Sequence, residues 1–313
     1  MRITAAGSLP GDDFRGALTA MTEALPDITP LPELPERGLE SQMIGRALGL
    51  IDDLEFDLQP AGWRLTNHSD AAHRRAKAWW RRDLDDAEEL LQDFEAVLKV
   101  AVAGPWTLAA AVERPRGDRL LADHGARRDV AQALHEGVLR LAADLARRLP
   151  GATVSWQIDE PSLVAVRRGQ IPTASGFSKH RDVDVSDLAD TLAPFHDATL
   201  HCCAPGEWLD VASRSGFRSV HVDASLLVSI DALGSWVDDG HDVALGVVDT
   251  VHARRQPVDR IIDAARRVTR ELGVGDWLTL APACGLAGWQ QRDIVWQLNE
   301  LRRAGELLEQ DRA

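Results

Sequence analysis

Short runs of Val, Ile, Leu and Ala alternate along this chain with longer stretches in which apolar residues return every three or four positions. The short runs are Ile3 to Ala6, Leu98 to Val102, Thr153 to Ile158, Ala198 to Cys202, Ser219 to Val222, Val243 to Val248 and Trp277 to Leu280. Their length and β-branched content predict strands. The longer stretches predict helices over Ala71 to Leu98, Arg127 to Leu149, Val185 to Leu192, Gly206 to Ser215, Ile230 to Asp239, Val258 to Leu272 and Gly288 to Gln310. In the second of these, Val130, Leu134, Val138, Leu141 and Leu145 mark one helical face. Two segments break the rhythm. Residues 26–37 hold Pro26, Pro30, Pro32 and Pro35, spread too evenly for a helix, and read as an extended loop. Residues 59–68 read as a second extended stretch. The alternation predicts an α/β fold, a parallel sheet with its helices outside. Over residues 1–313 it fits a single-domain (β/α)8 barrel, with a doubly wound open sheet as the alternative. No Gly-x-Gly-x-x-Gly follows the first strand, which counts against a dinucleotide-binding form.

Composition narrows the function classes. The 49 acidic and 35 basic side chains give a formal net charge of −14, which disfavours a nucleic-acid or anionic-membrane partner. Lys77, Lys99 and Lys179 are the only lysines. No apolar run reaches membrane-spanning length, and Met1 to Ser8 lacks the apolar core of a signal peptide. Three cysteines, two of them adjacent, make a poor disulfide framework. The expected compartment is therefore the cytoplasm, where thiols stay reduced and free to bind metal.

The polar residues of interest fall at the C-terminal ends of the apolar runs: Ser8, Asp159 with Glu160, His201 with Cys203, Asp223, Asp249 with His252, and Cys284. In a barrel these ends converge on one face, where such folds build their sites. His201 and Cys203 are two apart on an extended segment and point the same way, leaving Cys202 to face the packing. Cys284 can close the set from the last strand, and Asp223 can supply an oxygen. Imidazole and thiolate favour zinc, and ligands scattered over separate strands suit an open, catalytic site. Buried cysteines in a plain core are the bland alternative. A zinc ion held by two thiolates suits a thiol substrate, bound as the thiolate, better than it suits water. Asp159-Glu160 before Pro161 reads either as a holder of a substrate ammonium group or as a helix cap. Asp249 and His252 offer a general acid.

Taken together, these residues resemble the catalytic barrel of the cobalamin-independent methionine synthase family, zinc enzymes that methylate homocysteine. The resemblance is carried by Gly7-Ser8-Leu9-Pro10, Gln157-Ile158-Asp159-Glu160-Pro161, His201-Cys202-Cys203 and Pro282-Ala283-Cys284-Gly285-Leu286, in that order. It implies a (β/α)8 fold and a zinc set of His201, Cys203, Cys284 and, where the family has glutamate, the shorter Asp223. It implies homocysteine contacts at Ser8 and Asp159, an amino-acid-binding glutamate near Glu40, and a catalytic histidine at His252, one residue further from its aspartate than in the family's Asp-Ile-His motif. The full-length enzyme resembles two barrels in one chain, of which only the catalytic one is matched here. The donor is then a methyl-tetrahydrofolate or a methylated corrinoid, the latter implying a corrinoid-carrying protein as partner.

Three functions follow. The first is zinc-dependent methyl transfer to homocysteine, forming methionine, with His252 protonating a folate leaving group and Glu160 and Glu40 helping to hold the amino group. The second is another thiol methyltransferase, or a barrel resembling uroporphyrinogen decarboxylase, which needs no metal. The third is a non-catalytic methyl-carrier or zinc-binding protein.

Overall fold

Apolar strand positions pair side by side because each strand can bury its backbone polar groups only against a neighbour. The computed structural model describes residues 1–68 and 70–310. The first half contains β1 (Arg2–Ile3), α1 (Phe14–Ala24), β2 (Ile28–Pro30), α2 (Met43–Leu48), β3 (Glu55–Gln59), β4 (Gly62–Thr66), α3 (Ala71–Leu90), β5 (Val97–Ala103), α4 (Pro105–Ala111) and α5 (His124–Arg148). The second half contains β6 (Thr153–Asp159), α6 (Leu163–Arg167), α7 (Val185–Leu192), β7 (Thr199–Cys202), α8 (Leu209–Ser215), β8 (Ser219–Asp223), α9 (Ile230–Asp238), β9 (Asp242–Val248), α10 (Val258–Leu272), β10 (Leu278–Pro282) and α11 (Gln291–Gln310). Asp13, Asp70, Asp123 and Ser229 start α1, α3, α5 and α9 by accepting a hydrogen bond from an amide of the first turn.

Eight strands form one parallel sheet in the order β1-β10-β9-β8-β7-β6-β5-β2. It closes where the chain continues beyond β1 and β2. There the Glu33 amide donates to the Gly7 carbonyl at 3.0 Å, and the Leu9 amide donates to the Glu33 carbonyl at 2.9 Å. The fold is a (β/α)8 barrel, as the alternation predicts. No helix among the described residues is long and apolar enough to cross a membrane.

Three expectations are corrected. The Pro-rich stretch, which reads as a loop in sequence, contains β2, which pairs with β5 from Ile28↔Val97 to Pro30↔Lys99. A three-residue strand ending in proline survives there because its second edge is bridged only further on, at Glu33. The stretch at 59–68 is largely the second arm of an antiparallel hairpin, β3 with β4, apart from the barrel sheet. The helix expected to run to Leu98 stops at Leu90, because β5 is captured between β2 and β6; sheet pairing overrides an apolar run that local propensity would continue as helix.

Alternate positions on the barrel strands differ in kind. Leu98, Val100 and Val102 of β5, Leu200 and Cys202 of β7, Val220 and Val222 of β8, and Val243, Leu245 and Val247 of β9 join the hydrophobic core. The positions between them carry Lys99, Gln157, Asp159, His201, His221 and Thr279, all buried. The two-residue period of a strand places this second set inside the barrel.

One ion cluster locks the β2 side of the mouth. Arg37 donates from both terminal nitrogens to the two oxygens of Asp83 at 2.7 and 2.8 Å, and Arg46 donates to Asp83 Oδ2 at 3.1 Å. The Arg46 guanidinium lies 3.7 Å from the Trp80 ring centre, and Trp80 Nε1 donates to the Arg46 carbonyl. All three charged side chains are buried. Asp83→Asn leaves two buried guanidinium groups short of a counter-charge, and urea unfolding is expected to show a loss of about 3–5 kcal/mol. A loss below about 1 kcal/mol would show that the cluster is well solvated instead.

Candidate metal centre and substrate pocket

β7 and β10 deliver the sulfur and nitrogen atoms to the mouth. His201 is the penultimate residue of β7, Cys203 directly follows the strand's last residue, Cys202, and Cys284 sits in the turn after β10. One ligand atom from each of His201, Cys203 and Cys284 lies within 4.8 Å of the others. The two Sγ atoms are 3.3 Å apart. That is far beyond the roughly 2.05 Å of a disulfide. It is close to the separation of about 3.8 Å that two thiolates adopt on a tetrahedral zinc. His201 Nδ1 donates to the His221 carbonyl at 3.1 Å, which leaves Nε2 as the bare acceptor. Nε2 is buried and has no hydrogen-bond partner. A buried bare nitrogen facing two thiols is a donor set that fits zinc.

Shared contact sets the acidity of the thiols. The hydrogen bond from Cys284 holds the Cys203 thiol below its ordinary range against the effect of burial. The same contact, with burial, pushes Cys284 well above it. Cys202 faces the core, where burial pushes it up to about 12; it is an inert packing thiol.

The turn that carries Cys284 is shaped by close backbone approaches. The β9–β10 register shifts between Ala281 and Pro282. A Cβ on Gly246 would stand 2.5 Å from Ala283 Cα, so only glycine lets the shifted segment lie this close. Gly285 packs against Ser8, and the Leu286 amide donates to the Ser8 carbonyl at 2.8 Å. The first strand end is thus fastened to the cysteine turn. Ser8 Oγ lies against Gly285 in that turn and makes no hydrogen bond among the described residues.

Behind the mouth, Lys99 Nζ donates to Gln157 Oε1 at 2.9 Å, and Gln157 Nε2 donates to Asp159 Oδ1 at 2.7 Å. Asp159 is in register with His201. Burial pushes Asp159 up, although His201, Gln157 and Lys99 oppose it. Glu33, on the closing seam beside Gly7, is also buried, and its carboxylate has no hydrogen-bond partner among the described residues. Burial pushes it up to about 7, Arg46 pulls it down, and Asp159 adds to the rise. Burial lowers Lys99 to about 8 despite these two carboxylates. His221, its ring 4.1 Å from that of His201, is held well below the usual histidine range by burial and by His201 and Lys99.

The remaining expected residues fall elsewhere. Glu160 is fully buried and both its oxygens are taken: the Trp106 and Thr107 amides donate at 2.8 and 2.7 Å, and Thr107 Oγ1 at 2.6 Å. It anchors the first turn of α4 and is not available to a substrate, so the cap reading holds for this residue. Burial pushes it up to about 7 against these three bonds. Glu40 accepts from Arg75 of α3 at 2.7 Å and lies outside the group of buried carboxylates. Asp223 is not part of the three-residue cluster; its Oδ1 accepts from the Ser225 amide and hydroxyl at 2.8 and 2.7 Å, closing the turn after β8. Asp249 Oδ2 meets His252 Nδ1 at 2.5 Å on an exposed rim loop, with the His252 side chain 70% exposed. Burial would raise Asp249, but the bonds from His252 and the Val251 amide outweigh it and hold the carboxyl low. Between the β7 and β8 ends lies a cavity of about 300 Å³ lined by Trp208, Val222, Asp223, Leu226 and Leu227.

Three interior residues escaped the sequence reading: Glu33, Lys99 and His221. Lys99 carried a signal, being one of three lysines and set in an apolar run. Glu33 was hidden with its strand.

The sequence profile of the cobalamin-independent synthase catalytic domain matches residues 91–307. No curated protein matches the chain. Among solved structures, a B12-independent methionine synthase from a Shewanella species, in complex with selenomethionine, is 13% identical with a TM-score of 0.66, over 99% of this chain and 98% of that one. A protein named as a vitamin-B12 independent methionine synthase, from Listeria monocytogenes, is 13% identical with a TM-score of 0.60 over the same shares. At that identity the two structures speak for the barrel fold, while the profile spans well over half of the sequence: the chain belongs to the cobalamin-independent synthase catalytic-domain family.

Proposed function

We propose that this chain is a zinc-dependent methyltransferase that methylates the thiol of homocysteine to form methionine. Residues 1–313 act as a single catalytic domain in the cytoplasm, with His201, Cys203 and Cys284 holding the zinc. The carrying observation is the buried, bare Nε2 of His201 within 4.8 Å of two thiols, in a chain of a synthase family. Bound there, zinc would keep the acceptor thiol deprotonated at neutral pH, where a free thiol with a pKa of about 8.5 is mostly protonated.

The protein's own groups orient the amino acid. Glu33 is a buried carboxylate that accepts no hydrogen bond among the described residues, near enough to Cys284 to feel its charge. An ammonium group placed between Glu33 and Asp159 would offset the repulsion between them, and Lys99, through Gln157, holds Asp159 in place. Ser8 Oγ offers one more hydrogen bond beside the Cys284 turn. His252, oriented by Asp249, is the rim group able to hand a proton to a departing folate nitrogen; a methylated corrinoid leaves without needing one.

Metal analysis of the purified protein is expected to give one zinc per chain. Methionine should then appear with homocysteine and either methyl-tetrahydrofolate or a methylated corrinoid, presented free or on a carrier protein. Zinc without turnover from any donor would favour a zinc-binding protein that is no longer an enzyme. Cys203→Ser and Cys284→Ser should weaken zinc binding by more than about 100-fold, beyond the usual cost of losing an outer partner. Cys202→Ser should leave zinc and turnover intact, and loss of metal in that variant would overturn the strand-facing assignment.

Glu33 also sets a pH dependence. Its folded-state pKa is raised to about 7, so it takes up a proton as pH falls through that value and loses its attraction for the ammonium group. The KM for homocysteine should therefore rise below pH 7 while kcat changes little. Glu33→Gln should raise KM about tenfold to a hundredfold and flatten the profile. An unchanged KM in that variant removes Glu33 from the amino-group site.

A further inference from the structure

We infer that His221 is a positioning residue that ties the two ligand-bearing arms of the metal centre together. The inference rests on the zinc reading above. His221 sits in the middle of β8 and is fully buried. Its backbone carbonyl accepts the Nδ1 proton of His201 on β7 at 3.1 Å. Its own Nε2 meets the carbonyl of Pro282 at 2.9 Å. A carbonyl can only accept, so Nε2 carries the proton and donates. Pro282 ends β10, two residues before Cys284.

The reach of this side chain is unusual. In the sheet, β9 lies between β8 and β10, so the bond skips a strand and crosses the barrel interior. The residue of β9 in register with His221 is Ala244, whose methyl group leaves the path open. The backbone carbonyl at this position thereby fixes which nitrogen of His201 is bare, and the His221 side chain fixes where the Cys284 turn begins. Its ring, 4.1 Å from that of His201 and tilted by 30°, also limits how the ligand imidazole can turn. Pro282 is where the β9–β10 register slips, so this carbonyl belongs to the stretch of β10 least constrained by regular pairing. An aliphatic side chain at 221 would fill the space but could not donate.

Three variants separate this role from mere packing. Gln in place of His221 keeps an N–H near the position of Nε2, whereas Asn is too short to reach Pro282, and Leu removes the donor altogether. Zinc affinity is measured by competition with a chromophoric chelator, and ligand geometry by the visible spectrum of the cobalt(II)-substituted protein. Unfolding of the metal-free proteins in urea reports any plain loss of stability. His221→Asn and His221→Leu should weaken zinc binding about 10–100-fold, the usual cost of losing an outer partner, and shift the cobalt spectrum. His221→Gln should stay within about threefold of the parent. Should His221→Leu not fold, the comparison of Gln with Asn still decides. Equal zinc affinity in those two variants overturns the proposal while leaving the metal site standing. If the parent protein itself binds no zinc, the metal reading fails and the proposal with it.

Discussion

Burying polar groups inside a closed parallel sheet is the constraint on which the rest of this protein depends. A barrel interior of this size is ordinarily filled by layers of branched apolar side chains. Here Lys99, Gln157, Asp159, His201 and His221 stand in that space. Each would be costly alone, since a buried polar atom without a partner loses its hydration with no return. They are tolerable because they are chained: Lys99 to Gln157 to Asp159 on one side, and His201 to His221 to Pro282 on the other. The atoms left over are informative. His201 Nε2 and His221 Nδ1 are buried acceptors without a hydrogen-bond partner among the described residues, and His201 is the residue that stands with the two thiols.

The outer faces of the strands offset the cost of this interior. Leu98, Val100, Val102, Leu200, Val220, Val222, Val243 and Leu245 are buried among the helices, each contributing on the order of 1.5–3 kcal/mol relative to exposure. The sheet is thus held from outside, which frees its inside for chemistry. Closure is the other requirement. The seam at Gly7, Leu9 and Glu33 is the last link of the ring, and the same few residues place Ser8 against the Cys284 turn and Glu33 beside the mouth. A break at the seam would disperse ligands that are distant in sequence.

What could be read from the chain beforehand followed from strong local patterns. Seven strands announced themselves by apolar runs, and His201, Cys203 and Cys284 by their chemistry at strand ends. The two-residue spacing also put Cys202 on the packing side, where it is found. β2 could not be read, because three residues ending at Pro30 carry no periodicity; it exists only because β5 supplies the partner. Glu33 lies in the same stretch and nothing in its local spacing marks it, while Glu40 pairs with Arg75 of α3. Glu160 was ambiguous for a physical reason: a carboxylate after a strand can hold a ligand or cap a helix, and only the position of α4 decides. His221 was invisible as a functional residue because its two bonds reach other strands, which sequence spacing does not encode.

The state of Asp223 bears on what kind of metal centre this can be. Its carboxylate closes a local turn through Ser225, so the histidine and two cysteines stand as a three-donor set. Structural zinc sites are closed by four protein ligands, whereas catalytic ones keep a position for the substrate. On the proposed zinc reading, a shorter acid than the glutamate the resemblance implies, already engaged in its own turn, favours the open kind. The aspartate also borders the apolar cavity beside Trp208. Releasing Asp223 from Ser225 would cost the turn two hydrogen bonds, each of about 0.5–1.5 kcal/mol net. Recruitment of that oxygen as a fourth ligand would therefore compete with the β8–α9 turn, and on the proposed function the same position would be left to a substrate sulfur.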